Sequence, residues 1–387
     1  MPAPDADAVR PLRGDGLVVA YDVGPLAGRR TGVGAATSAL RDALADHTDV
    51  TLLPYLTSFR TSSAALADLG GAVRLPVPAA VAQRLWSRFD HPRADRWLRG
   101  AAVVHGTNYV VPPTRLPRLV SVYDCWFLDH PASATPDVAR AGQVLLRSLA
   151  GGAVAHVSSE ATAARLRHHA PDADVRVVPL GTLPLSTPSA VCPIADLDGR
   201  PFVVAIGTIE RRKNLPTLVR AFGQLAAELA DLHLVIAGGD GDDRPALDVA
   251  IDAVGADVAH RIHLTGYVDD SVRSWLVHHA QVLAYPSLDE GFGFPLLDAM
   301  QADLPVVAAR AGSIPEVAGD AALLVDPTDV VALAEALRTA VSDDATRHRL
   351  IAAGRARAAH YTWERTASAL ANIYRELADG ASGRSST

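Results

Sequence analysis

The sequence predicts an α/β protein built from two doubly wound parallel-sheet domains that face each other across a central cleft. Three observations carry this expectation. Short apolar runs alternate with helix-length segments, the pattern of parallel strands joined by crossover helices. The alternation stops in a turn-rich stretch at 182–201 and then starts afresh. The length, 387 residues, suits roughly two to three domains.

In the first series, strands are read at 17–23, 51–56, 101–106, 118–124, 152–158 and 175–181, with helices such as 34–45 and 160–169 between them. The stretch TLPLSTPSAVCPIADLDGRP has no period and many turn formers, so it reads as a connection. The N-terminal domain is set at 1–188 and the linker at 189–200. Strands resume at 202–207, 232–239, 261–266, 281–287, 305–311 and 321–327, each followed by a helical segment, giving a C-terminal domain at 201–360. Residues 361–387 are expected to form a helix that packs back on the N-terminal domain and ends in a disordered ASGRSST tail.

Composition narrows the function. A chain 49% hydrophobic and 20% charged is globular rather than disordered. Net charge is −7, yet residues 1–188 hold 19 Arg against 15 Asp and one Glu, or +3, leaving −10 for the remainder. The overall balance argues against nucleic acid as a partner. Two cysteines without metal-ligand spacing exclude a disulfide framework and fit a reducing compartment. The N-terminus MPAPDADAVRPLRGDG lacks the apolar run of a signal peptide, and no run of about 20 apolar residues spans a bilayer. A cytoplasmic location, or one at the inner face of the membrane, is therefore expected.

Two stretches carry the chemistry. GTIERRKNL, from Gly207 to Leu215, contains Lys213, the single lysine beside 35 arginines. It follows a strand and precedes a helix, at the carboxyl end where open parallel sheets bind ligands. A compact ammonium beside the planar fork of Arg212 suits a diphosphate; a chance surface cation is the plain alternative. In PSLDEGFGFPLLDAM, 286–300, Gly291 and Gly293 let the backbone approach a ligand closely. A helix starting near Phe294 and Pro295 would aim free N–H groups at an anion. Glu290 and Asp298 flank that turn, suited to sugar hydroxyls. A solvated loop acid and a first-turn dipole partner are the plainer readings.

GTIERRKNL, VIAGG, LTGY, PSLDEGFGFPLLDAM and AGSIPEVAGDAALLVDP, together with TGVGAATSALRDAL, VVHGTNYVVPP, VSVYDCWFLDHP and VSSEATAARL earlier on, resemble in order the retaining glycosyltransferases of the GT-B fold, family-four type. The resemblance covers about residues 17–375 and implies two Rossmann-like domains. It implies that Arg212 and Lys213 bind the donor's diphosphate, Glu290 the donor sugar and Asp298 the ribose. Gly293, Phe294 and the turn at Gly32 and Gly34 would bind the donor nucleotide as well. The partners implied are a nucleotide-sugar donor and a glycan or lipid-linked acceptor, with GDP-mannose the first donor suggested by the GTIE-RKN variant. Transfer is expected on one face of the sugar, the departing phosphate taking the acceptor proton.

This sequence departs from the family at three positions. Asp298 stands where the family usually has Glu, and Arg211 where it commonly has Pro. Tyr123-Asp124 replaces a frequent His-Asp pair, so Tyr123 and Asp124 are the catalytic candidates on the acceptor side. A phenol ionises near pH 10 and is a poor base at neutrality. His105 is a further strand-end candidate, with a satisfied structural histidine as its alternative.

No metal or other cofactor is expected: Asp240 and Asp242 in GGDGDD read as turn residues, and the cationic pair can neutralise a leaving diphosphate. TGVG is too partial a match for dinucleotide binding. QRLWSRFDHPRADRWLRG, 83–100, interleaves five arginines with Trp and Phe. It reads as a peripheral membrane contact, or as two short helices with core faces and solvated arginines. An epimerase of the same fold, or a binding protein without turnover, remain the competing functions.

Overall fold

The structure, a computed structural model, describes residues 16–27, 31–47, 49–58, 61–194 and 197–384. The N-terminal residues 1–15, read as lacking a signal peptide, and 385–387 of the tail lie outside them. Seven parallel strands form the first sheet: β1 (Leu17–Asp22), β2 (Val50–Thr57), β3 (Val73–Leu75), β4 (Val103–Gly106), β5 (Arg118–Val122), β6 (Val154–Val157) and β7 (Val175–Val177), in the order β3-β2-β1-β4-β5-β6-β7. Six form the second: β8 (Phe202–Ile206), β9 (His233–Ala237), β10 (Ile262–Gly266), β11 (Val282–Tyr285), β12 (Val306–Ala309) and β13 (Ala322–Val325), in the order β10-β9-β8-β11-β12-β13. Strand β3 was not expected. At three residues between Gly71 and Pro76 it is too short to show any period.

Helices cover both faces of each sheet, so central strands such as β11 and β12 are buried throughout and read as unbroken apolar runs. In the first domain they are α1 (Gly32–Ala45), α2 (Ser63–Asp68), α3 (Ala79–Trp86), α4 (Trp126–Asp129), α5 (Pro136–Ala150) and α6 (Glu160–His169). The second has α7 (Leu215–Ala226), α8 (Arg244–Ala253), α9 (Ala256–Ala259), α10 (Asp270–His279), α11 (Phe294–Gln301), α12 (Ile314–Ala318), α13 (Val330–Ser342) and α14 (Asp344–His360), followed by α15 (Trp363–Arg384). Side-chain caps fix several starts, including Thr31, Thr135, Ser159 and Asp269. Strand order reverses between β1 and β4 and again between β8 and β11. These are the two switch points where such sheets bind ligands.

The chain crosses between domains twice, and the crossings lock together. Thr182 N–H donates to Tyr361 O at 3.0 Å, and Trp363 Nε1–H donates to Thr182 O at 2.8 Å. The turn-rich connection is strapped to the C-terminal domain. Ser274 Oγ donates to Ser186 O at 2.6 Å, and Leu180 and Leu197 enter that domain's core. Helix α15 returns to the first domain, where Leu370, Ala371 and Tyr374 join Val19, Leu40 and Val103 in one cluster. It runs to Arg384, so residues 381–384 of the expected disordered tail are helical: each further residue adds one backbone hydrogen bond to a helix already nucleated.

Tyr374 also decides the role of His105. The His105 ring is fully buried, with Nδ1 2.7 Å from Tyr374 Oη and Nε2 2.8 Å from Ser121 Oγ. Ser121 Oγ lies 2.8 Å from His156 Nδ1, and His156 Nε2 lies 3.0 Å from Val178 O. The carbonyl can only accept, so His156 Nε2–H donates and its Nδ1 accepts from Ser121. Ser121 in turn accepts from His105 Nε2–H, and Tyr374 donates to His105 Nδ1. One carbonyl thus orients the whole relay, and His105 is a core histidine tying α15 to the sheet rather than a cleft residue. Burial pushes both histidines below their usual range, His156 to about 4.

Candidate active site

Arg212 and Lys213 lie in a single 3-10 turn, Arg211–Lys213, between β8 and α7, at the C-terminal switch point. Asn214 makes that turn possible. It adopts φ 54°, where Asn is tolerated, and its amide donates to Pro286 O (3.1 Å) and Pro327 O (2.8 Å). One residue therefore ties the ends of β8, β11 and β13 together. Gly207 fits the same design: a Cβ there would meet Lys213 Cε at 3.0 Å, at φ +148°.

Both cations converge on Glu290. Lys213 Nζ donates to Oε1 at 2.5 Å and to Tyr285 Oη at 3.2 Å; Arg212 donates to Oε2 at 2.7 Å. Glu290 is 6% exposed and Lys213 8%. Burial alone would raise the Glu290 pKa, but Lys213 and Arg212 overcome it and hold it at about 2. Burial lowers the Lys213 pKa in spite of Glu290, with Arg212 adding to the effect. Burial would also lower Arg212, but Glu290, Asp124 and Glu210 outweigh it and raise it. Arg211 points to solvent, and its N–H donates to Asp242 Oδ1 at 3.1 Å. Asp240 pairs with Arg244 at 2.7 Å, so these two acids have structural occupations.

Asp298 departs from its expected position. It is the fifth residue of α11, beyond the first turn, because the helix starts only after Gly293 at φ 95°. Dipole complementation is therefore not its role. Asp298 is fully buried and paired with Arg273, while its Oδ1 has no hydrogen-bond partner. Burial, only partly offset by Arg273, raises its pKa to about 6. An unpartnered buried carboxylate oxygen is costly unless a ligand hydroxyl completes it.

The opposite wall comes from the N-terminal domain. Asp124, just past β5, accepts from Trp126 N–H at 3.1 Å and from Tyr109 O–H at 3.2 Å. Burial pushes the Tyr123 phenol up to about 12, further from any role as a base. Gly32 opens α1 opposite Phe294, whose ring would lie 3.9 Å from a Cβ on that glycine. Gly34 faces the other way: a Cβ there would meet Pro25 O at 2.8 Å. So Arg212, Lys213, Glu290 and Asp124 come together with Gly32 and Phe294 across the cleft, while Gly34 packs inside its own domain.

Sequence reasoning missed how the walls are joined. Gly291 O accepts from Ser158 Oγ at 3.0 Å and Ser159 Oγ at 2.9 Å, and the Glu316 carboxylate caps α6 through Glu160 N–H at 2.9 Å. Arg165 bridges Asp129 of its own domain and Asp289 of the other. VSSEATAARL and AGSIPEVAGD were both singled out, but nothing in either shows that they touch. Asp22 was missed as well. It ends β1 at the N-terminal switch point, where burial raises its pKa to about 7 against a 2.8 Å hydrogen bond from Gly24 N–H. An acid closing the run LVVAYD was the available signal.

Two doubly wound domains facing a cationic, glycine-rich cleft define the GT-B fold. Residues 194–357 match the family described as Glycosyl transferases group 1. Among relatives, O-antigen chain mannosyltransferase B of Escherichia coli is 34% identical over 177 residues, 46% of each chain. The chain thus spans under half the length of that relative. Phosphatidyl-myo-inositol mannosyltransferase of Mycobacterium tuberculosis is 27% identical over 80% of this chain and 83% of its own. Sucrose-phosphate synthase from Thermosynechococcus elongatus superimposes with a TM-score of 0.69 at 20% identity, covering 94% of this chain and 99% of that one. Anabaena HepE, solved with UDP and glucose, gives 0.66 at 16% identity, covering 93% and 100%.

Proposed function

We propose that this protein is a retaining glycosyltransferase that moves a sugar, mannose from GDP-mannose in the first instance, onto a glycan or lipid-linked acceptor. The observation that carries the reading is the convergence of Arg212 and Lys213 on Glu290 at one switch point, with Asp124 across the cleft. Arg212 also pairs with Glu210 at 3.2 Å, so a diphosphate would take the two cations by displacing the carboxylates that hold them. When a diphosphate takes the cations, Glu290 is released to accept hydrogen bonds from the sugar, and Asp298 Oδ1 receives a ribose hydroxyl. The bond from the anomeric carbon to phosphate breaks as the bond to the acceptor oxygen forms on the same face. The acceptor proton passes to the departing phosphate. The side chains supply position and charge stabilisation, and the arginine–lysine pair does the neutralising that a metal would otherwise do. Mannosyl donors are favoured by the GTIE-RKN variant and by the names of two relatives. A cytoplasmic site of action belongs to the same reading.

Thermal shifts with GDP-, UDP-, ADP- and dTDP-sugars in excess EDTA test it. A donor at a hundred times its dissociation constant stabilises by about 2.7 kcal/mol, and GDP-mannose should give the largest shift. Transfer should persist in EDTA. Turnover that needs magnesium or manganese would overturn the leaving-group account, and a sugar that changes while staying on its nucleotide would identify an epimerase.

A further inference from the structure

Segment 83–100 is not the pair of short core helices that one reading of the sequence offered. It holds the end of one helix, α3, followed by turns. Ala82 and Trp86 face inward, at 0% and 3% exposure, and Leu98 is fully buried. The outward face of α3 carries Val81 and Leu85, at 44% and 36% exposure, and Phe89, at 58%, follows in the turn beyond the helix, its N–H donating to Leu85 O at 2.7 Å. Single exposed apolar residues are ordinary. Three close together, with Arg84 and Arg88 between them, are not required by the packing.

The charges are uncompensated as well. Among the described residues, Arg84, Arg88, Arg93 and Arg99 form no ion pair, and Arg96 lies 3.8 Å above the Trp97 ring. Both local acids are engaged elsewhere: Asp90 with Arg147 at 3.3 Å, and Asp95 with Thr114 Oγ1 and Arg115 N–H, each at 2.8 Å. Among the described residues no helix is long and apolar enough to cross a membrane.

We propose that the outward face of α3 and the arginines following it dock on an anionic lipid bilayer, with Val81, Leu85 and Phe89 entering the interface and the guanidinium groups held at the headgroups. Charge complementarity selects this occupant. Long cationic side chains can cover apolar surface while their heads stay at the headgroups. A chain of net charge −7 is repelled by an anionic surface as a whole. The attraction must therefore be local, acting within a Debye length of about 8–10 Å, and sensitive to salt. The inference does not depend on glycosyl transfer. If that reading holds, it further implies an acceptor presented at the lipid surface.

Co-sedimentation of the full chain with phosphatidylglycerol/phosphatidylcholine vesicles, against pure phosphatidylcholine, tests it. The protein should pellet with the anionic vesicles alone and be released by salt. Arg84→Ser/Arg88→Ser/Arg99→Ser should weaken binding roughly a hundredfold, at about 1 kcal/mol per residue. Leu85→Ser/Phe89→Ser, which keeps every charge, should also weaken it by about tenfold or more. Unchanged melting temperatures of both variants would show that the fold is intact, since the mutated groups face outward. Equal recovery in the supernatant with both lipids overturns the proposal. So does binding that is indifferent to Leu85 and Phe89, which would mark a general polyanion site. A concentration-dependent dimer broken by the same substitutions would also overturn it, by assigning the face to a second copy. Donor thermal shifts report separately on the cleft and should not change in either variant.

Discussion

Lys213 is held by Glu290 and Tyr285 in a pocket that leaves it 8% exposed. Replacing it with Ala removes one of two charges offered to a diphosphate. Transfer should fall by at least about tenfold, roughly 1.4 kcal/mol, and nucleoside diphosphate affinity should fall with it while nucleoside affinity barely moves. Isothermal titration with GDP and guanosine separates the two; equal losses would mean the lysine merely supports the fold. Glu290 makes the sharper case because it competes with the ligand for the same cations. Glu290→Gln should bind GDP about tenfold more tightly, since no carboxylate must be displaced, yet transfer the sugar more slowly. Weaker GDP binding in that variant would contradict the displacement account.

Between β11 and α11, the loop at Gly291 joins the two domains. A Cβ on Gly291 would fall 1.4 Å from Tyr123 O, a clash that backbone cannot relieve in place. Gly291→Ala should therefore hold the cleft open and cost Ser158 and Ser159 their shared acceptor. Donor binding, which uses the C-terminal domain, should survive, while transfer drops by about a hundredfold or more because both walls must meet the reacting atoms. Small-angle scattering should show a larger radius of gyration than wild type. An unchanged radius with full activity would show that the contact is dispensable.

Across the whole molecule, buried groups push stability in opposite directions with pH. His105 and His156 have folded pKa values depressed by burial, His156 to about 4. Their contribution is complete above the unfolded value near 6.5 and is lost as pH falls toward 4. Asp22 and Asp298 have folded values raised to about 7 and about 6. The stability they confer is present below about pH 4 and lost as pH rises through 6 to 7. The slopes offset one another, so wild type should vary little between pH 4 and 7. Asp22→Asn removes one side of the balance. It should be more stable than wild type at pH 7.5 by up to about 4 kcal/mol, and by under about 1 kcal/mol near pH 4. Urea unfolding at the two pH values measures this, and an equal difference at both would mean Asp22 titrates normally.

The sequence alone determined the strand series apart from β3, the two-domain plan and the identity of the cationic turn, because local period and turn chemistry are written in consecutive residues. It placed Arg212, Lys213 and Glu290 in one ligand site for the same reason: each follows a strand end. It could not show that Glu290 pairs with both cations, since residues 77 positions apart meet only when β8 and β11 lie side by side. Nor could it separate His105, sealed by Tyr374 from the far end of the chain, from a cleft histidine. Asp298 looked like a first-turn acid until Gly293 fixed where the helix starts. The contact of Gly291 with Ser158 and Ser159 joins two domains that fold on separate cores. Burial and pairing across such distances are properties of the packed chain, and they decide which of the legible residues are free to meet a ligand.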